Sequence, residues 1–157
     1  MNKWDKFFLD VAGHMSTLSK DPSSKFGAVI AQGKFQVSQG YNGFPAGVTD
    51  HPDLLNDRDS KLAIVIHAEE NAILNCEKRD RIGATIYVGG PPCARCAAKI
   101  AQVGITRVVC YTGTQAFRDR WARDIELANH IYNEVGIEFV EYPQPDIRLE
   151  MLEAYFG

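Results

Sequence analysis

Two short segments, His67-Ala68-Glu69 and Pro92-Cys93-Ala94-Arg95-Cys96, carry the side chains of this sequence best suited to chemistry. They supply one imidazole, two thiols and a carboxylate. Imidazole and thiolate both bind zinc. Three protein ligands leave a tetrahedral ion one position short, and that open position separates a catalytic zinc from a structural one. A water there loses a proton more readily than bulk water. Glu69, two residues from His67, is the candidate base that receives it.

Could a fourth protein ligand close the site? Cys76 follows His67 by nine residues, which at about 100° per residue lies across the helix from it. Cys110 sits in an apolar strand pattern and His130 on a distant helix, so none of the three fits. Cys76 and Cys110 read as core cysteines. A structural zinc or a redox Cys-x-x-Cys pair is the competing reading, although a redox pair leaves His67 and Glu69 unexplained.

These groups need helix starts to hold them. Apolar spacing predicts helices over Trp4–Leu18, Ala68 to about Lys78, Ala94–Val103 and Asp119–Val135, with a short helix from Ile147 to Tyr155. Strands are predicted at Phe26–Ala31 and Phe35–Gly40, joined as a hairpin through Gln32-Gly33-Lys34. Further strands are predicted at Thr85–Val88, Arg107–Tyr111 and Ile137–Val140. Cys93 and Cys96 then share the face of a helix N-terminus, where thiolates are stabilised. The stretch from Val48 to about Lys61 reads as an irregular functional loop. Alternation of strand and helix after Leu62 predicts a largely parallel α/β sheet with the early hairpin as an antiparallel edge.

The 157 residues predict one domain, spanning 1–157, with an ordinary soluble composition of 45% hydrophobic and 24% charged residues. No apolar run approaches the ~20 residues that cross a bilayer, and no signal-peptide pattern opens the chain, so a cytoplasmic protein is expected. A net charge of −3 argues against a nucleic acid polymer as partner, while a small anion needs only a few well-placed cations.

Around the two motifs, Ser19-Lys20-Asp21-Pro22-Ser23, Gly27-Ala28-Val29-Ile30, Gly40-Tyr41-Asn42-Gly43-Phe44-Pro45-Ala46-Gly47, His67-Ala68-Glu69-Glu70-Asn71-Ala72-Ile73, Cys96-Ala97-Ala98-Lys99-Ile100 and Gln102-Val103-Gly104-Ile105 occur in order. Over roughly residues 5 to 142 the chain resembles the deoxycytidylate (dCMP) deaminases. The resemblance implies a three-layer α/β/α fold with a five-stranded mixed sheet, and conversion of dCMP to dUMP. It also implies a homo-oligomer, often a hexamer, with dCTP activating and dTTP inhibiting.

Carried over by position, His67, Cys93 and Cys96 match the Zn2+ ligands. Glu69 matches the proton shuttle, which serves the ring nitrogen and the departing ammonia. Asn42 matches the deoxyribose contact, and Ala68 the residue whose amide faces the pyrimidine carbonyl. Ser23, Ser24 and Lys25 match the loop near the substrate phosphate. Gly43, Phe44, Pro45 and Gly47 match the segment that holds the nucleotide effector, with which Mg2+ could travel.

Three positions depart from the family pattern. Gly89-Gly90-Pro91 replaces a Thr-Leu-like approach to Pro92. Glu70 stands where many relatives are apolar. No clear counterpart follows Tyr111 for the aromatic that lies against the base, for which Phe117 and Trp121 are the candidates. Substrates other than dCMP therefore stay open: dCTP, a 5-modified dCMP, a free nucleoside or, disfavoured by charge, a tRNA adenosine. So does a non-catalytic nucleotide-binding zinc module.

Overall fold

The structure is a computed structural model and describes residues 1–145. The helix expected over Ile147–Tyr155 lies outside them. Helix α1 (Lys3–Ser16) leads into the hairpin β1 (Gly27–Gln32) and β2 (Phe35–Tyr41). Short helices α2 (Pro52–Asn56) and α3 (Arg58–Ile64) precede α4 (Ala68–Leu74) and α5 (Lys78–Arg81). Then come β3 (Thr85–Val88), α6 (Ala94–Gln102), β4 (Arg107–Tyr111), α7 (Gln115–Arg120), α8 (Ala122–Val135) and β5 (Glu138–Tyr142).

The five strands form one mixed sheet in the order β2-β1-β3-β4-β5. β1 is antiparallel to both β2 and β3, while β3, β4 and β5 run parallel. The parallel pairs need crossovers, which α6 and the α7–α8 segment provide. Two of the four strand pairings are parallel, and the hairpin forms the expected antiparallel edge, with β2 outermost and β1 joined to β3. α1 packs Phe8, Leu9 and Ala12 against Val29, Tyr87 and Val109 on one face. On the other, residues of α4, α6 and α8 cover Ala28, Ile30, Ile86, Val88 and Val108. The three layers of the expected fold are present.

The stretch read as an irregular loop holds α2 and α3. Both are too short for a periodic apolar pattern. Local devices start them: Pro52 in the first turn of α2, and the Asp57 side chain accepting from the Ser60 amide ahead of α3. The long helix expected from Asp119 is interrupted at Trp121, whose φ of −105° separates α7 from α8.

Two glycines let helices approach the sheet. A Cβ on Gly27 would fall 1.9 Å from the Ala12 carbonyl oxygen, and one on Gly40 would fall 2.5 Å from both Ala68 O and Ala72 N. The Gly40 contact seats β2 directly against α4, the helix that begins after His67. Gly40→Ala must therefore move backbone that has no flexible end to yield. We expect it to destabilise the protein by about 1–3 kcal/mol or more, measured by denaturant unfolding, and to lower metal affinity together with stability.

The N-terminus of α1 is tied across the sheet by one carboxylate. Asp5 is 1% exposed and accepts two bonds of 2.8 Å from the Arg107 guanidinium, one of 2.7 Å from Tyr142 and one of 3.2 Å from Tyr87. Burial pushes its carboxyl up, yet Arg107 and Tyr142 outweigh it and hold Asp5 below the ordinary 3.8. A depressed native pKa gives stability that is present above 3.8 and lost as pH falls through the lower native value. Asp5→Asn should cost about 3–5 kcal/mol at pH 7 by removing the buried carboxylate of the pair and leaving Arg107 only its exposed contact with Glu138. The deficit relative to wild type should shrink in unfolding curves taken below pH 4. A constant deficit across that range would contradict this account.

Candidate metal centre and active site

His67 precedes the first residue of α4, and Cys93 caps α6, its sulfur accepting from the Cys96 amide at 3.5 Å. The two helix starts bring three ligand atoms together. His67 Nδ1 lies 3.6 Å from Cys93 Sγ and 3.3 Å from Cys96 Sγ. Zinc bonds of about 2.3 Å to sulfur and 2.0–2.1 Å to nitrogen, at tetrahedral angles, place such atoms roughly 3.6 Å apart. The trio fits zinc. Among the described residues it is the one cluster of three or more His, Cys, Asp or Glu side chains with ligand atoms this close. All four cysteines are free thiols. Cys76 and Cys110 are buried in the apolar core and His130 is exposed on α8, so none of them completes the set.

The protons of the trio are strongly redistributed. The Cys93 thiol is pushed down to about 4, first by the hydrogen bond from Cys96 and also by His67. Cys96 moves up in response, because Cys93 holds the charge. His67 rises to about 9 on its bond with Cys93. One thiolate paired with an imidazolium is a site ready to exchange protons for a cation.

Glu69 is 7% exposed, and burial pushes its carboxyl up to about 7. Its neighbour Glu70 does different work. Its carboxylate accepts from the His67 amide at 3.3 Å and pairs with the Lys99 ammonium, linking α4 to α6. Burial opposes ionisation of Glu70, but Lys99 and that amide hold it below its ordinary value. The departure at Glu70 is therefore a brace between the two ligand-bearing helices. A second brace comes from α8, where Asp124 accepts from the Ala94 amide at 2.9 Å.

His67, Ala68, Glu69 and Cys93 line a cavity of about 190 Å³. Asn42 reaches it because Gly43 and Ile66 form an isolated antiparallel bridge, setting the residue before one beside the residue after the other. The Asn42 side chain accepts from the Phe26 amide at 2.9 Å and donates to Ser24 O at 2.8 Å, fixing the 24–26 loop. Ser23 and Ser24 line the same cavity. Lys25 does not: it lines a separate cavity of about 500 Å³, and its ammonium donates to the Ser19 carbonyl. Gly43, Phe44, Pro45 and Gly47 line a third cavity of about 210 Å³, which Asn42, Asp21 and Lys61 border as well. Phe117 and Trp121 both reach the metal-side cavity, with ring centroids 6.3 Å apart, and Phe26 lies 6.1 Å from Phe117.

Residues 2–112 match the model of the cytidine and deoxycytidylate deaminase zinc-binding region. The chain belongs to the cytidine and deoxycytidylate deaminase family. Its relatives in that family include an uncharacterised deaminase from the luxG 3′ region of Aliivibrio fischeri, 42% identical over 91% of this chain and 96% of that one. The human deoxycytidylate deaminase is 34% identical over 89% of this chain and 80% of its own length. The fold is that of a cyanophage S-TIM5 dCMP deaminase solved with dCMP and dUMP, with a TM-score of 0.70 at 22% identity, covering 90% of this chain and 99% of that one. Membership makes the trio a zinc site of a family of hydrolytic enzymes. No helix among the described residues is long and apolar enough to cross a membrane.

Four residues that border this deaminase cavity escaped the sequence reading: Arg58, Lys61, Arg120 and Asp124. Arg58 and Lys61 fell in the stretch read as a loop. Arg120 and Asp124 fell within the single helix expected over Asp119–Val135, which the break at Trp121 divides.

Proposed function

We propose that this protein deaminates dCMP hydrolytically to dUMP and ammonia. The observation that carries the reading is a buried carboxylate, Glu69, sharing one cavity with a three-ligand zinc set. A structural zinc has no use for such a group. His67, Cys93 and Cys96 would hold the metal, which when bound acts as a Lewis acid that lowers the pKa of water.

The remaining work falls to the chain. Glu69, with a carboxyl poised near neutrality, takes one proton from the attacking water and gives it to N3 of the pyrimidine. It then takes the second from the new C4 hydroxyl and gives it to the amine, which leaves as ammonia as the C4 carbonyl forms. The Ala68 amide heads α4, where no helical acceptor precedes it, and is available to the pyrimidine carbonyl. Asn42 holds the deoxyribose, with Ser23 and Ser24 close to the nucleotide's phosphate. Phe117 and Trp121 supply the aromatic wall for the base.

In this reading the enzyme works in the cytoplasm as a homo-oligomer, a hexamer by family likeness, and supplies dUMP for thymidylate synthesis. The cavity at Gly43, Phe44, Pro45 and Gly47 takes dCTP as activator or dTTP as inhibitor, with Mg2+ on the triphosphate.

Ammonia release from dCMP, dCTP and deoxycytidine by zinc-loaded protein, with and without added dCTP and dTTP, tests the whole reading. Turnover of dCMP above the other two is expected. A zinc-loaded, folded protein inert toward all three overturns the reading.

A further inference from the structure

The deaminase reading restricts how a pyrimidine faces the site. Its O2 and N3 side meets the start of α4, where the Ala68 amide and the Glu69 carboxylate adjoin. C4 lies over the ligand trio. The C4–C5 edge then turns away from α4, toward Pro92, Cys93 and the start of α6. The amine on C4 carries two in-plane N–H groups, one on the N3 side and one on the C5 side. Glu69 stands at the first, and the second needs an acceptor of its own.

Asp21, Glu69 and Asp124 are the carboxylates that border the cavity. Asp21 is buried in the loop ahead of β1, and its charge is met by Lys61 at 3.0 Å and by the Ser23 and Ser24 amides. Asp124 differs on each count. It is half-buried, and one oxygen, Oδ1, accepts from the Ala94 amide at 2.9 Å, next to the ligand Cys93. Its other oxygen, Oδ2, has no hydrogen bond, and no lysine, arginine or histidine among the described residues pairs with it. An ionised carboxylate accepts and never donates, so it suits an N–H and opposes the lone pairs of a carbonyl. Hydrolysis makes that exchange at C4, where an amine becomes a carbonyl.

We propose that Asp124 Oδ2 accepts from the C4 amine of the cytosine and so separates the substrate from its own product. This rests on the deaminase reading. The same negative charge favours the amine once it is protonated to leave, and it opposes the carbonyl that replaces it, which speeds product release. One side chain of α8 thereby does two things: Oδ1 steadies the start of α6, and Oδ2 senses the group that the reaction removes.

Asp124→Asn tests it, because the Ala94 amide dictates the orientation of the new side chain. The asparagine oxygen takes the place of Oδ1 and keeps that bond, while its NH2 takes the place of Oδ2 and turns an acceptor into a donor. Calorimetric binding of dCMP and of dUMP is compared in zinc-loaded Glu69→Gln protein, where turnover is suppressed, with and without Asp124→Asn. The preference for dCMP over dUMP should fall by roughly tenfold or more, dCMP weakening while dUMP tightens. Without the Glu69 substitution, Asp124→Asn should make dUMP a stronger product inhibitor. Asp124→Ala, which has neither group, should weaken dCMP without tightening dUMP. A preference unchanged by Asp124→Asn overturns the assignment. Equal losses for both nucleotides, the result of a loosened α6 alone, also overturn it and leave the deaminase reading intact. A folded, zinc-loaded wild type that binds neither nucleotide removes that reading and the assignment with it.

Discussion

Glu69→Gln is expected to lower kcat for dCMP by about 10²–10⁴-fold while the protein retains its zinc. Glutamine keeps the size and most of the packing of the side chain but cannot carry a proton. Zinc is retained because the ligand set is His67, Cys93 and Cys96, whose sulfur and nitrogen atoms already meet without Glu69. Stability should move the other way. Burial raises the Glu69 carboxyl from 4.5 to about 7, so the native state disfavours its charged form. A raised native pKa means that ionised Glu69 opposes folding, increasingly from pH 4.5 up to about 7 and steadily above that. In metal-free protein at pH 8, the substitution should therefore stabilise by up to about 3 kcal/mol. Activity assays, zinc content and urea unfolding read the three effects. A variant that loses zinc with its activity would mean that Glu69 supports the metal and is not the proton carrier.

Cys96→Ala is expected to remove the metal and, with it, all deamination. Zinc held by a full ligand set contributes on the order of 10–16 kcal/mol, or roughly 3–4 kcal/mol per ligand, so losing one lowers affinity by at least about a hundredfold. The sulfur is fully buried, with no exposed surface, so water cannot readily take its place. Cys76→Ala and Cys110→Ala are the controls. Both remove a buried thiol from the core cluster and should lower stability without changing zinc content. Metal analysis after dialysis separates the two classes. Zinc lost equally from all three variants would contradict the three-ligand site.

The ligand set was legible because metal chemistry restricts both residue type and spacing. His67, Cys93, Cys96 and Glu69 could be named from a few positions, and the strands β3 and β4 from their apolar runs. The hairpin and its place as an antiparallel edge were legible too, but the strand that β1 joins was not. The pairing of Ala28 with Val88 joins strands separated by four helices, and nothing local to either strand encodes it. The short helices were missed for a related reason. α2 and α3 are fixed by Pro52 and Asp57 and by the cavity they border, not by an apolar stripe. Lys25 and Lys61 show the limit for side chains. A lysine in the right loop turned to the Ser19 carbonyl, while one 36 positions later (61 − 25) came to lie beside Ser23.

The register shift in the hairpin also governs what the sheet offers at its margin. β2 is the outermost strand, and a regular outer strand presents a row of open amides and carbonyls on which another chain can build. Between the Ile30–Ser38 and Ala31–Gln36 pairs, Val37 is an extra residue without a partner opposite. Such an insertion kinks the strand and strengthens its twist. The row is broken near its middle, and neither half is long enough to nucleate a stable new strand. Gln36 and Gln39 hydrogen-bond to each other across the kink. Copies of this chain are thereby steered away from growing one continuous ribbon through β2, and contact between them is left to side chains.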